Sequence, residues 1–114
     1  MSPYVIKLKK FESVFSTYLK IKHTIGTGNG LDAIKIALRA LGIKPGDEII
    51  VPANTYIATI MAITAIQAIP VLVEPNENTF NLDPTRIEVK ITSKTKAIIP
   101  VHLFGLACDM DKIV

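Results

Sequence analysis

The sequence predicts an α/β fold in which helices cover a mostly parallel sheet. Three observations carry that expectation. Segments with apolar residues at helical spacing alternate with short, continuous apolar runs along the chain. Runs such as Glu48-Ile49-Ile50-Val51 lack the polar alternation of a strand with one wet face, so both faces of their sheet need cover. Turn residues such as Pro45-Gly46-Asp47 separate the two kinds of segment, the rhythm of strand–helix–strand units.

The elements follow in order. Lys7 to Leu19 carries Phe11, Phe15 and Tyr18 at helical spacing. Lys22 to Ile25 reads as a short strand leading into the turn Gly26-Thr27-Gly28-Asn29-Gly30. A helix follows from about Leu31 to Leu41, with Leu31, Ile34, Leu38 and Leu41 down one side, and Gly42 suits its left-handed cap. Glu48 to Val51 is a buried strand that Pro52 ends. Asn54 or Thr55 could cap a helix running to about Ile66. Pro70 to Val73 is a strand, and Asn76 to Asp83 a polar loop. Asp83-Pro84 opens a short helix with Asp as cap and Pro at its first position. Lys96 to Val101 is the last strand, and Asp109 starts one more helix.

Composition narrows the class. At 114 residues the chain holds one domain, with 49% of residues apolar and 20% charged. That apolar share exceeds what a small soluble domain needs, given how little of its surface it can bury. It suits a segment of a larger body, or a compact β-rich domain with a partner. The net charge of +3 is spread along the chain, apart from Lys7, Lys9 and Lys10 on what reads as a solvated helix face. A nucleic-acid surface would need a denser basic stripe with interleaved aromatics. Cys108 is the only cysteine, so no disulfide framework is expected, and the start Met1-Ser2-Pro3 has no signal-peptide character. The expectation is a soluble cytoplasmic protein without membrane spans.

The glycine turn is the first place where chemistry could sit. Where a strand meets a helix N-terminus, unpaired backbone amides and the helix dipole can hold an anion such as phosphate. A dinucleotide fold would want Gly-x-Gly-x-x-Gly and an acid ending the second strand. Here the spacing is Gly-x-Gly-x-Gly, and Asp47 and Glu48 begin the second strand. A dinucleotide reading therefore fails.

A longer series of phrases in order decides the family. It runs Phe11-Glu12, Gly28-Asn29-Gly30-Leu31-Asp32-Ala33, Ala37-Leu38-Arg39-Ala40-Leu41-Gly42, and Val51-Pro52-Ala53-Asn54-Thr55-Tyr56. It ends with Asn81-Leu82-Asp83-Pro84 and Pro100-Val101-His102-Leu103-Phe104-Gly105. From about Phe11 onward the chain resembles the DegT/DnrJ/StrS-type sugar aminotransferases. That resemblance implies the three-layer α/β large domain of the PLP-dependent transferases of fold type I, with residues 1–114 as its N-terminal part. It also implies pyridoxal 5'-phosphate as cofactor, glutamate as usual amino donor, a nucleotide-linked keto-sugar as acceptor, and a homodimer.

Carried over by position, the resemblance implies that the backbone at Gly30 and Leu31 contacts the cofactor phosphate. Tyr56 matches the aromatic that stacks on the pyridine ring, an arrangement suited to offset stacking. Read without the family, Tyr56 would be a core aromatic. His102 follows the last strand, where ligands gather in open α/β sheets, and equally suits a structural histidine; His23 reads as structural. Much of the family carries Thr where Leu31 stands. Leucine there resembles the branch that aminates C3 of dTDP-3-keto-6-deoxyhexoses.

Two features depart from a complete member. The resemblance implies a lysine that binds the cofactor covalently and a carboxylate on the pyridine nitrogen, both beyond Val114 in the family. None of the lysines here ends a parallel strand facing the glycine turn, so no catalytic residue and no metal ligand is expected in this chain, which alone should be inactive. An extra helix and arm usually precede the Phe11 helix, and Met1 to Leu8 is too short for both. Gln67 stands where a turn glycine is usual, and Leu106-Ala107 replaces the common Gln-Pro. A non-catalytic decoy or partner subunit of a full-length paralogue is the competing reading, with an independent phosphate-binding module behind it.

Overall fold

Proline opens the first helix earlier than the apolar spacing suggests. In the computed structural model, which describes residues 2–114, α1 spans Pro3–Leu19 with Pro at its first position; Met1 lies outside the described residues. Proline fits there because its missing N–H would be unpaired in any case. The helix closes on Lys20, held at φ 55°. None of its residues is buried.

The predicted strand from Lys22 to Ile25 does not form. This segment runs back along α1, so its backbone meets no strand with which to share a ladder. Ser16 Oγ donates to Thr24 Oγ1 at 2.7 Å, and the Gly26 amide donates to Glu12 Oε1 at 2.7 Å. After the turn, α2 spans Gly30–Ala40. Its end is as expected: Gly42 takes φ 78°, and the Ile43 amide reaches back to the Leu38 carbonyl, the bond that closes a helix through a left-handed glycine. Of the apolar stripe, Leu38 is buried, Leu31 and Ile34 are half-buried, and Leu41, beyond the last turn, is exposed.

β1 (Glu48–Pro52) is the centre of a three-stranded parallel sheet, flanked by β2 (Ile69–Val73) and β3 (Thr95–Ile98). Its alternating side chains divide the core. Ile49 and Val51 pack with Leu38, Ile63, Ile66 and Ala68, which brings α2 and α3 (Ile57–Thr64) onto one face. Ile50 packs the other way with Val73, Leu82 and Ile87, and Ile113 of α4 (Met110–Ile113) joins them. Every residue of β1 after Glu48 is buried, which explains the unbroken apolar run.

Three boundaries differ from expectation for local reasons. Neither Asn54 nor Thr55 caps α3: Asn54 Nδ2 donates to the Phe80 carbonyl, Thr55 pairs with Thr59, and extended Tyr56 stands at the cap. α3 stops at Thr64, and the chain turns through Gln67 at φ 61°. β3 ends at Ile98, although the Ile99 amide still donates to the Ile50 carbonyl at 2.8 Å; Pro100 then has no N–H to give. The Asp83-Pro84 start is as predicted, with the Thr85 amide on Asp83 Oδ1, but the turn is a 3-10 helix over Pro84–Arg86. No helix among the described residues is long and apolar enough to cross a membrane.

Candidate functional site

The first turn of α2 is built to leave two donors free. Asn29 is extended at the N-cap, and its Oδ1 accepts the Asp32 amide at 2.9 Å, while its carbonyl accepts the Ala33 amide. The amides of Gly30 and Leu31 find no acceptor among the described residues. A helix start always presents such orphan donors, and the dipole makes the place favourable for negative charge. Asp32 would oppose an anion there. Its carboxylate is instead engaged by Lys35 Nζ at 3.1 Å and by Asn29 Nδ2 at 3.1 Å.

Asn29, Gly30 and Leu31 line an open cavity of about 530 Å³ together with Ile34, Tyr56, Ala58 and Thr59. A Cβ added at Gly30 would meet nothing within 4 Å, so the backbone approach is unobstructed. Tyr56 is 77% exposed at the start of α3. The extended cap conformation turns it away from the core that these residues build and into the wall of the cavity. Thr59, buried and paired with Thr55 at 2.9 Å, supports that wall. The lining holds neither lysine nor carboxylate. Gly30, Leu31 and Tyr56 are thus brought together from two helices.

His102 lies elsewhere, past the end of β3. Its Nδ1 accepts the Cys108 amide at 3.0 Å, and Cys108 Sγ lies 3.2 Å from the Val101 carbonyl. The histidine closes a loop, as its structural reading expects. His23 is exposed and lines a shallow groove at the end of α1. Sequence reasoning assigned no role to Asn29, Asn81 or Glu12. Asn29 was legible as a cap, since Asn followed three residues later by an acid is a helix-start signal. Asn81 and Glu12 act over long separations that no local pattern reveals.

The family follows from comparison with known proteins. Residues 6–114 match the DegT/DnrJ/EryC1/StrS aminotransferase family. The chain belongs to that family. It is 58% identical over 103 residues to dTDP-3-amino-3,6-dideoxy-alpha-D-galactopyranose transaminase of Aneurinibacillus thermoaerophilus, covering 90% of this chain and 28% of the relative. It is 49% identical over 107 residues to dTDP-3-amino-3,4,6-trideoxy-alpha-D-glucose transaminase of Streptomyces venezuelae, covering 94% and 28%. The crystal structure of ntda from Bacillus subtilis, with bound cofactor PMP, superposes with a TM-score of 0.91 at 49% identity, covering 99% of this chain and 25% of that one. The α/β architecture is therefore part of the aminotransferase fold. The chain spans just over a quarter of the length of the curated relatives it matches.

Proposed function

We propose that this segment forms the phosphate- and ring-binding wall of a pyridoxal 5'-phosphate pocket. The complete gene product would be an aminotransferase that moves an amino group, from glutamate, to a nucleotide-linked keto-sugar. The observation that carries the reading is the pair of unpaired amides at Gly30 and Leu31 in one cavity with an exposed tyrosine. The chemistry of the donor set fits the cofactor: amides and a helix dipole suit a phosphate, and a phenol face suits a planar ring. When bound, pyridoxal phosphate would supply an aldehyde to carry the amino group and a ring that serves as electron sink.

The residues of this chain would bind and orient. Gly30 and Leu31 would donate to phosphate oxygens, and the absent Cβ at Gly30 would let the oxygens approach. Tyr56 would cover one face of the ring and exclude water from it. Leu31 favours a dTDP-3-keto-6-deoxyhexose as acceptor, and both dTDP-sugar transaminases described above support that choice. A cytoplasmic homodimer completes the reading, supported by the exposed apolar side chains of α1, Tyr4, Phe11 and Tyr18 among them. The same exposure also favours the second reading, a decoy subunit, which would form a defined complex with a full-length paralogue on size exclusion. By itself the 114-residue chain should show no transaminase activity.

Gly30→Pro tests the reading. Asn29 is extended at φ −165°, ψ 173°, away from the helical region that proline disfavours in the residue before it, and proline is tolerated at the first helical position. The change therefore removes one N–H and spares the helix. In the complete gene product it should weaken cofactor binding by about tenfold, the effect of one charge-assisted hydrogen bond, with thermal unfolding of the cofactor-free protein unmoved. Unchanged cofactor affinity would sink the assignment of the Gly30 amide.

A further inference from the structure

The segment that delivers the chain to the cavity is almost free of hydrogen bonds. From Lys22 to Gly28, Gly26 carries the only backbone N–H with an acceptor among the described residues, and that acceptor is the Glu12 carboxylate at 2.7 Å. No ladder holds these residues, because the predicted strand is absent. Yet Gly30 and Leu31, four and five residues on, must present their amides at a defined place.

α1 offers the fixed point. Leu8, Glu12 and Ser16 are spaced four apart and so lie along one face of the helix. Each meets the returning segment. Leu8 lies where a Cβ on Gly26 would stand, Glu12 takes the Gly26 amide, and Ser16 donates to Thr24. Gly26 is thus required for the close approach of α1, and Glu12 turns that approach into a directed bond. Glu12, Thr24 and Gly26 are half-buried at this contact, which shields the bond from competing water.

We infer that Glu12 is a positioning residue for the phosphate-binding turn: by anchoring the Gly26 amide it sets where the Gly30 and Leu31 amides stand. The inference rests on the cofactor reading above. It is specific to the phosphate end of the ligand, since Tyr56 is carried on α3 and does not depend on the anchored segment.

The test compares affinities for pyridoxal 5'-phosphate and for pyridoxal, which lacks the phosphate, in the complete gene product. Three variants separate the causes. Glu12→Ala removes the acceptor. Glu12→Asp keeps the charge but is one methylene too short to hold the contact. Glu12→Gln keeps an oxygen acceptor of the same reach without the charge. The expected result is a fall of about fivefold to tenfold in the preference for the phosphorylated ligand in Ala and Asp, less than the full loss of a hydrogen bond to a charged group because the phosphate-binding amides are displaced and not removed, and recovery in Gln. Should Glu12→Ala fail to fold, Glu12→Asp carries the comparison. Equal loss of affinity for both ligands, or lower thermal stability with the preference unchanged, would overturn the inference and leave the cofactor reading standing. If the unaltered protein shows no preference for the phosphorylated ligand, the cofactor reading fails and takes the inference with it.

Discussion

The chain has two irregular regions that treat their polar groups in opposite ways. Around Asn81 and His102, side chains close the loop. The Leu103 amide donates to Asn81 Oδ1 at 3.0 Å, Asn81 Nδ2 donates to the Leu106 carbonyl at 2.9 Å, and His102 takes the Cys108 amide. Asn81 is almost wholly buried while it does so. Between Lys22 and Leu31 the opposite holds: Glu12 and Ser16 hold the segment to α1, and most of its amides, those of Gly30 and Leu31 included, have no acceptor among the described residues. Buried polar groups in folded proteins are nearly always paired. The free donors at the cavity are solvent-accessible, so they can wait for a ligand at little cost, and the proposed phosphate contact uses them.

The largest effect should come from breaking the closed region. Asn81→Leu keeps the branching of the side chain, leaves the Leu106 carbonyl without its partner and leaves the Leu103 amide only its bond to the Val101 carbonyl at 3.1 Å. An orphaned group costs roughly 1–3 kcal/mol, so the variant should lose about 2 kcal/mol in urea unfolding and show faster amide exchange across 101–108. Its preference for pyridoxal 5'-phosphate over pyridoxal should not move. A change in that preference would mean that the two regions are coupled, contrary to the comparison.

That contrast also explains what the sequence made legible. The parallel sheet was readable because Ile49, Ile50 and Val51 are buried on both faces of β1, and burial writes itself into local composition. The end of α2 was readable because Gly42 has one conformational reason to be there. The strand from Lys22 to Ile25 was misread because a short run ahead of a glycine turn says nothing about whether a neighbouring strand exists. At the site, the free amides of Gly30 and Leu31 followed from a strand–turn–helix reading that was right only in its second half. The exposure of Tyr56 came from the family resemblance, since its helical context alone pointed to the core. Asn81 and Glu12 reach 22 and 14 residues along the chain for their partners, beyond any local pattern.

A smaller effect tests the closed side of the core. Gln67 holds φ 61° in the turn after α3, is exposed, and uses only its backbone, through the Gly46 amide to its carbonyl and its own amide to Thr64. A left-handed conformation costs a residue with a Cβ about 1 kcal/mol. Gln67→Gly should therefore stabilise the protein, by less than that full amount because glycine also frees the unfolded chain. The midpoint of urea unfolding should rise at constant slope, and a fall would mean that the Gln67 side chain contributes a contact of its own.

The smallest effect concerns pH and again belongs to the closed side. Asp83 Oδ1 accepts both the hydroxyl of Thr85 at 2.7 Å and its amide at 3.0 Å, and Arg86 Nε lies 3.4 Å from Oδ2. The Thr85 hydroxyl, chiefly, holds the carboxyl below its ordinary range; burial pushes the other way, and the Thr85 amide and Arg86 add to the lowering. The folded state then binds fewer protons than the unfolded state around the ordinary carboxyl value near 4, so stability rises with pH through that window. This contribution is complete above the unfolded value and is lost as pH falls through the lowered folded one. Thr85→Val removes the largest cause and should flatten the acid limb of a stability–pH curve, with little change at pH 7 beyond the lost hydrogen bond. Asp83→Asn should abolish this part of the slope. An acid limb as steep in Thr85→Val as in the unaltered protein would shift the cause to the amide and Arg86.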